Sequence, residues 1–321
     1  MNYAEIPYVN KPISRFLFGT AIPSMTSGAD CGALLDQVYG NGITAFDCAR
    51  NYGLAEKSLG DWVESRGLRD KVILLTKCAH PDVLGRKRVN EKCVRKDFEK
   101  SAQFLKTAYI DIYLLHRDDP EVEAGEIIEL FNAMYEEGKI GAFGGSNWTH
   151  HRIEEANEYA YKHNLIPFTI SSPNFGLAHQ AQDPWGGGCV TITGAENADA
   201  REWYRSCQMP VLCYSSLARG LFSGKLQASD AGHAGDVLDR AGMRGYGFPE
   251  NFERLRRCEL IARQKGCSVP QIALAWIFHQ KLNAFAIVSA SGIDRMTENL
   301  KALSVSLSEA ECSYLNLENK N

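Results

Sequence analysis

Short β-branched and aliphatic runs alternate with longer amphipathic segments from one end of the chain to the other, and no other feature restricts its folding so strongly. A short apolar run followed by apolar residues at helical spacing is the pattern of a strand, a crossover helix and a parallel strand. Eight such runs occur, over 16–19, 43–47, 72–77, 110–116, 140–146, 168–172, 211–214 and 285–289. The spacing predicts helices between them, among others over 56–66, 90–106, 126–137 and 149–163. Two later helix starts carry their own caps, since Ser268-Val-Pro-Gln271 and Ser308-Glu-Ala-Glu311 fit the reciprocal Ser-x-x-Gln/Glu box. Pro270 falls in a first turn, which needs no amide from it.

Eight strand-then-helix units in 321 residues point to a single α/β domain over 1–321, a closed (β/α)8 TIM barrel with its active site at the C-terminal ends of the strands. A Gly-x-Gly-x-x-Gly fingerprint after the first strand is absent, which removes the main argument for a Rossmann fold. Two glycine-rich stretches, 173–198 and 219–251, read as long loops. In a barrel they are either lids and substrate walls over the mouth or surface insertions.

With 35 basic and 39 acidic residues the formal charge is -4, and the densest basic stretch is only Gly85-Arg-Lys-Arg88. Neither a nucleic acid nor a membrane is expected as a partner. The start, MNYAEIPYVN, has neither a basic nor an apolar region of a targeting signal, so a cytoplasmic protein is expected. The ten cysteines are scattered without a Cys-x-x-Cys pair or zinc-type spacing and read as mostly buried free thiols, with no structural metal. The sequence sets no oligomeric state.

Polar residues that end barrel strands converge on one site, and here apolar runs end in Asp47, in Lys77, in His116, and in Ser146 with Asn147. Singly, each has a bland reading: Asp47 as a cap, Lys77 as a solvated strand end, His116 as a hydrogen-bonded core residue. Their joint placement on successive strand ends favours catalysis.

Asp47-Cys-Ala-Arg-Asn-Tyr-Gly53 with Glu56 and Leu59-Gly60 resembles the first signature of the aldo-keto reductases. Thr76-Lys77, Ile110-Asp-Ile-Tyr-Leu-Leu-His116, Gly144-Gly-Ser-Asn147 and Tyr214-Ser-Ser-Leu217 are similar to its later motifs, in the family's order. The resemblance implies reduction of an aldehyde or ketone, with Asp47, Tyr52, Lys77 and His116 catalytic and Tyr52 as general acid. NADP(H) is the implied preferred cofactor, with NAD(H) usable, and a small carbonyl or alcohol is the implied substrate. The implied cofactor contacts are Gly19, Thr20, Asp47, Ser146, Asn147, Ser172, Tyr214, Ser215, Leu217, Gly220, Lys225, Ser289, Ser291, Arg295, Glu298 and Asn299.

Acid–base chemistry asks for the same groups. A phenol is too weak an acid to cycle easily near neutrality, and a cation beside Tyr52 is expected to lower its pKa, with Asp47 keeping Lys77 protonated. Trp148 and Trp185 are candidates for a substrate wall, packing being their alternative. Two positions depart from the family pattern. Ser172 stands where a glutamine is usual, and Val288-Ser-Ala-Ser291 stands where Pro and a basic residue often occur. Two other readings compete, a Schiff-base aldolase using Lys77 and a nicotinamide-binding regulatory subunit with incidental turnover.

Overall fold

The structure, a computed structural model, describes residues 1–290 and 292–318. Strands β1 (Tyr3–Ala4) and β2 (Ile13–Ser14) pair antiparallel. They precede β3 (Phe16–Gly19), β4 (Ala45–Asp47), β5 (Ile73–Cys78), β6 (Ile110–Leu115), β7 (Ile140–Ser146), β8 (Ile170–Ser172), β9 (Val211–Cys213) and β10 (Ala284–Val288). These eight close into a barrel in the order β10-β3-β4-β5-β6-β7-β8-β9. Every barrel strand is buried along its whole length, as expected of parallel strands covered on both faces. The parallel register sets Gly19 opposite Asp47, Lys77 opposite Leu114 and Ser146 opposite Ser172.

All eight apolar runs carry a strand, and the shifts at their ends have local causes. Residues 43–44 stay outside β4 because Thr44 is tied to Ser14 instead, its amide donating to Ser14 Oγ at 3.0 Å and its hydroxyl accepting from the Ser14 amide at 3.1 Å. β8 begins late because the Asn157 side chain takes both backbone groups of Phe168, at 2.8 and 3.2 Å. The antiparallel β1–β2 pair was not foreseen, its strands being too short to show any alternation.

Helices Ala55–Arg66, Glu91–Leu105, Ala124–Glu136 and His150–Lys162 follow β4 to β7. Asn90 and Thr149 cap two of them by accepting from Cys93 N at 3.0 Å and Arg152 N at 3.2 Å. The Ser308 box is complete, with Glu311 N donating to Ser308 Oγ and Ser308 N to Glu311 Oε2. At Ser268 the reciprocal half is formed, Ser268 N donating to Gln271 Oε1 at 3.1 Å.

The stretch 173–198 is irregular up to the 3-10 turn Ala195–Asn197. The stretch 219–251 differs from the expected loop, because it holds 3-10 turns and the helix Arg240–Tyr246. That helix starts on Asp239, whose carboxylate accepts from Gly242 N at 2.7 Å and pairs with Arg219. The glycines around it concealed the cap.

The chain divides into two units, Met1–Ser172 with Ser289–Ile293, and Pro173–Val288 with Asp294 onward. In the first, Tyr113, Phe131, Phe143 and Phe168 form a chain of ring contacts 5.4 to 6.2 Å apart between strands and helices. The second packs Phe175 on Trp276, ring centres 5.5 Å apart. Among the described residues no helix is long and apolar enough to cross a membrane.

At Gly60 the helix Ala55–Arg66 runs against the main chain of Glu91–Leu105. A Cβ there would stand 2.2 Å from Phe104 O and 2.7 Å from Leu105 Cα, both main-chain atoms that cannot swing aside. Gly60→Ala is therefore expected to cost about 1–3 kcal/mol of stability. Urea denaturation checks this, and an unchanged midpoint would mean that the two helices separate freely.

Candidate active site

β4 ends in Asp47 and β5 presents Lys77 one residue before its end, so two adjacent parallel strands deliver a carboxylate and an ammonium to the same level. Lys77 Nζ donates to Asp47 Oδ1 at 2.5 Å and to Cys48 O at 3.0 Å, with both side chains almost fully buried. A buried charge is tolerated only when it is paired. Burial pulls the Lys77 pKa down, but the Asp47 carboxylate and the Tyr52 phenol outweigh it and hold the amine charged. Burial pushes Asp47 up, against the pull of Lys77. An ammonium locked in this way is the opposite of the desolvated free amine that a Schiff-base lysine requires, which weighs against the aldolase reading.

The turn after β4 is laid along β5 by main-chain bonds, Cys48 N to Leu75 O at 2.8 Å and Arg50 N to Lys77 O at 2.9 Å, and this brings Tyr52 back over the ion pair. Lys77 Nζ lies 5.4 Å from the Tyr52 ring centre. Tyr52 is half-buried, and its hydroxyl has no hydrogen-bond partner among the described residues. Its pKa is raised, not lowered as the sequence suggested. Burial raises it more than Lys77 lowers it, and Asp47 and Cys48 add to the rise. The cation acts in the expected direction, but the partly dry setting wins. Burial also pushes the Cys48 thiol up to about 11.

His116 follows β6, its amide donating to Cys78 O at 2.9 Å, and its ring meets that of Tyr52 edge-on with centres 5.7 Å apart. The side chain is buried, and Nδ1 has no partner among the described residues. Burial first, then Lys77, Arg117 and His80, depress its pKa well below the usual range, so the ring is neutral. His80, which the sequence reading passed over, stands 4.8 Å away ring to ring. Its only sequence signal was a position three residues past Lys77.

Beneath this group, buried Glu56 accepts from Thr76 Oγ1 at 2.6 Å and forms an ion pair with Arg50, whose guanidinium covers the Phe104 ring at 4.6 Å. Helix and turn are thereby pinned to β5. Glu56 and Thr76 stood in the motifs quoted from the sequence, but their contact was not foreseen.

The cofactor candidates of the first unit gather at the same strand ends. Thr20 donates from both its amide and its hydroxyl to Asp47 O, each at 2.9 Å, and Ser289 Oγ donates to Gly19 O at 2.7 Å. Ser146 Oγ donates to the carbonyl of buried Ser172 at 2.9 Å. Asn147, at φ 60°, donates from Nδ2 to His116 O and to Ser146 Oγ, both at 3.1 Å. Trp148 is fully buried, packed on Phe168 with ring centres 5.1 Å apart and under Arg152, so it presents no surface to a ligand.

In the second unit, Tyr214 is half-exposed after β9, with its carbonyl accepting from Asn174 Nδ2 at 3.2 Å and its ring centre 6.4 Å from that of exposed Trp185. Ser215 and the consecutive Ala218, Arg219 and Gly220 have positive φ, which turns the amides of 218–220 in a way that can cradle an anion, with Leu217 between at φ −108°. Lys225 and Arg295 are exposed, Asn299 is buried, and Glu298 is engaged by Gln271 and Lys301. Ser291 lies outside the described residues.

The model of the Aldo/keto reductase family matches residues 18–317. The chain belongs to this family. Its relatives include the uncharacterized oxidoreductase YrpG of Bacillus subtilis, 24% identical over 98% of this chain and 95% of its own. Norsolorinic acid reductase B of Aspergillus parasiticus is 28% identical over 88% of this chain and 72% of its own. Protein tas of Escherichia coli is 25% identical over 96% and 95%. The protein is thus an NAD(P)H-dependent oxidoreductase acting on carbonyl chemistry.

The neutral state of His116 has a consequence for stability. Its folded pKa lies below the unfolded one, so as the pH falls below about 6.5 the unfolded chain takes up a proton that the folded state refuses, and stability drops. The loss grows by up to about 1.4 kcal/mol per pH unit. His116→Gln is expected to reduce the difference in urea midpoint between pH 7 and pH 5.5. An identical pH dependence in both proteins would show that His116 titrates normally when folded.

Proposed function

We propose that this aldo-keto reductase reduces an aldehyde or ketone to the alcohol with NADPH, Tyr52 donating the proton. The observation that carries the reading is the unpartnered Tyr52 hydroxyl, set between the Lys77–Asp47 ion pair and a neutral His116. A phenol with a raised pKa is a filled proton store near neutrality, and the fixed Lys77 charge favours the phenolate once the proton has left. Asp47 keeps Lys77 charged and in place. Neutral His116 offers a ring nitrogen to orient the substrate oxygen without a competing positive charge. The nicotinamide, when bound, supplies the hydride.

The residues present fit such a cofactor. Tyr214 offers a half-exposed ring, Ser146 and Asn147 offer amide and hydroxyl groups at strand ends, and the turn from Ser215 to Gly220, with positive φ at Ser215 and at 218–220, Leu217 between them and Lys225 beyond, suits a pyrophosphate. Of the remaining candidates in the first unit, Ser289 is exposed, whereas Gly19, Thr20 and Ser172 are buried and fit a supporting role behind the strand ends. Arg295, exposed and without an ion pair to any described residue, is the group we assign to a 2′-phosphate, with Asn299 beside it. Glu298 is held by its neighbours and fits a supporting role. The names of several relatives, which are called reductases, support the reductive direction. The family match over 18–317 supports one catalytic domain, and a cytoplasmic location remains our reading of the sequence. Trp185, exposed beside Tyr214 and Arg219, is the tryptophan suited to meeting a substrate.

Tyr52→Phe is expected to lower carbonyl reduction about 10²- to 10⁴-fold while leaving NADPH affinity, read by fluorescence titration, nearly unchanged. Near-normal kcat would remove Tyr52 from the role. Wild type should also prefer NADPH over NADH by roughly 10- to 150-fold in kcat/KM, and Arg295→Ala should lose most of that preference. Equal use of the two cofactors by wild type, or a preference that survives the substitution, would reject the assignment.

A further inference from the structure

The second unit holds a cavity of about 160 Å³ with three arginines in its wall, Arg201, Arg205 and Arg254, and, among the described residues, a single carboxylate, Glu318. None of these residues has a part in the catalytic or cofactor assignments above. Arg201 and Arg205 project one helical turn apart from Ala198–Cys207, and Arg254 comes from the helix Pro249–Lys265.

Arg254 is only 8% exposed. Its terminal nitrogens donate to Asn251 Oδ1 at 3.2 Å and Asn316 O at 3.5 Å, while its Nε is buried with no partner among the described residues. Arg201 donates to the carbonyls of Ile192 and Gly194, and Arg205 to the carbonyl of Gln280 and to Glu202. Neutral carbonyls orient a guanidinium without cancelling its charge. Arg205 repels Arg201, and the opposing carboxylates are Glu318 in the wall and Glu196 and Asp199 outside it; for Arg254 the repulsion comes from Arg257 and the relief from Glu250.

Arg254 is the buried charge of the three, while Arg201 and Arg205 are half-buried and Arg205 also pairs with Glu202; a buried guanidinium with no carboxylate of its own is costly unless an anion completes it. We propose that this cavity is a binding site for a phosphate-type oxyanion, either inorganic phosphate or the phosphoryl group of a small monoester. The planar guanidinium forks match its oxygens, and the volume admits one such group.

The test is calorimetric titration of inorganic phosphate into the full chain at constant ionic strength, with and without saturating NADPH, so that the cofactor's own phosphate sites are filled in one arm. A saturable one-to-one heat that survives NADPH is expected. Arg254→Gln should weaken it tenfold or more. Glu318→Gln, which removes the carboxylate of the wall, should tighten it, and this variant keeps the test decisive if Arg254→Gln fails to fold. Glycerol 3-phosphate binding more tightly than phosphate would support a monoester as the occupant, and the reverse order would support the free ion. Loss of all heat in NADPH, an equal response to chloride, or an affinity unmoved by Glu318→Gln would overturn the site.

Discussion

The Asp47–Lys77 ion pair is the interaction around which the rest of the site is arranged. Two opposite charges almost out of reach of water must stay together, and their separation would leave an uncompensated charge at a cost of about 3–5 kcal/mol. That requirement fixes the level at which β4 and β5 end relative to each other. It also gives the turn 48–52 something to close over, since Lys77 holds the Cys48 carbonyl as well as the carboxylate. Tyr52 and His116 take their shifts first from burial, and Lys77 then acts on both. The same ammonium that eases ionisation of the phenol discourages protonation of the imidazole.

The polar network at the neighbouring strand ends serves the same purpose by other means. Asn147 adopts a left-handed backbone conformation, uncommon outside glycine and best tolerated by asparagine. In that conformation its side chain ties the end of β7 to the residue that follows β6, while Ser146 ties β7 to β8. The strand ends that carry the candidate residues are therefore tied to their neighbours, β7 to β8 and to the end of β6.

Much of this was legible in the sequence, for a physical reason. Fully buried parallel strands must be continuously apolar, so a charged residue at the end of such a run stands out, and Asp47, Lys77 and His116 all did. What stayed hidden depended on competition between terms or on contacts between distant segments. The sign of the Tyr52 shift turns on burial against a nearby charge, and burial cannot be read from neighbours in sequence. Trp148 follows two candidate residues directly yet is packed on Phe168, after the left-handed turn at Asn147. Helix Arg240–Tyr246 was masked by glycines, and its cap became visible only as the bond between Asp239 and Gly242.

The burial of Cys48 beside the ion pair also bears on how such an enzyme meets oxidants and thiol reagents. Its sulfur lies next to the Asp47 carboxylate, a place where a reactive thiol would leave the candidate site open to peroxide. Burial keeps it protonated up to about 11, and the thiolate is the form that electrophiles attack. Cys78, Cys213 and Cys258 are shielded in the same way, whereas Cys207 is exposed. Alkylation of the folded protein therefore falls on the periphery, and the machinery at the strand ends is chemically quiet toward such agents despite the sulfur beside it.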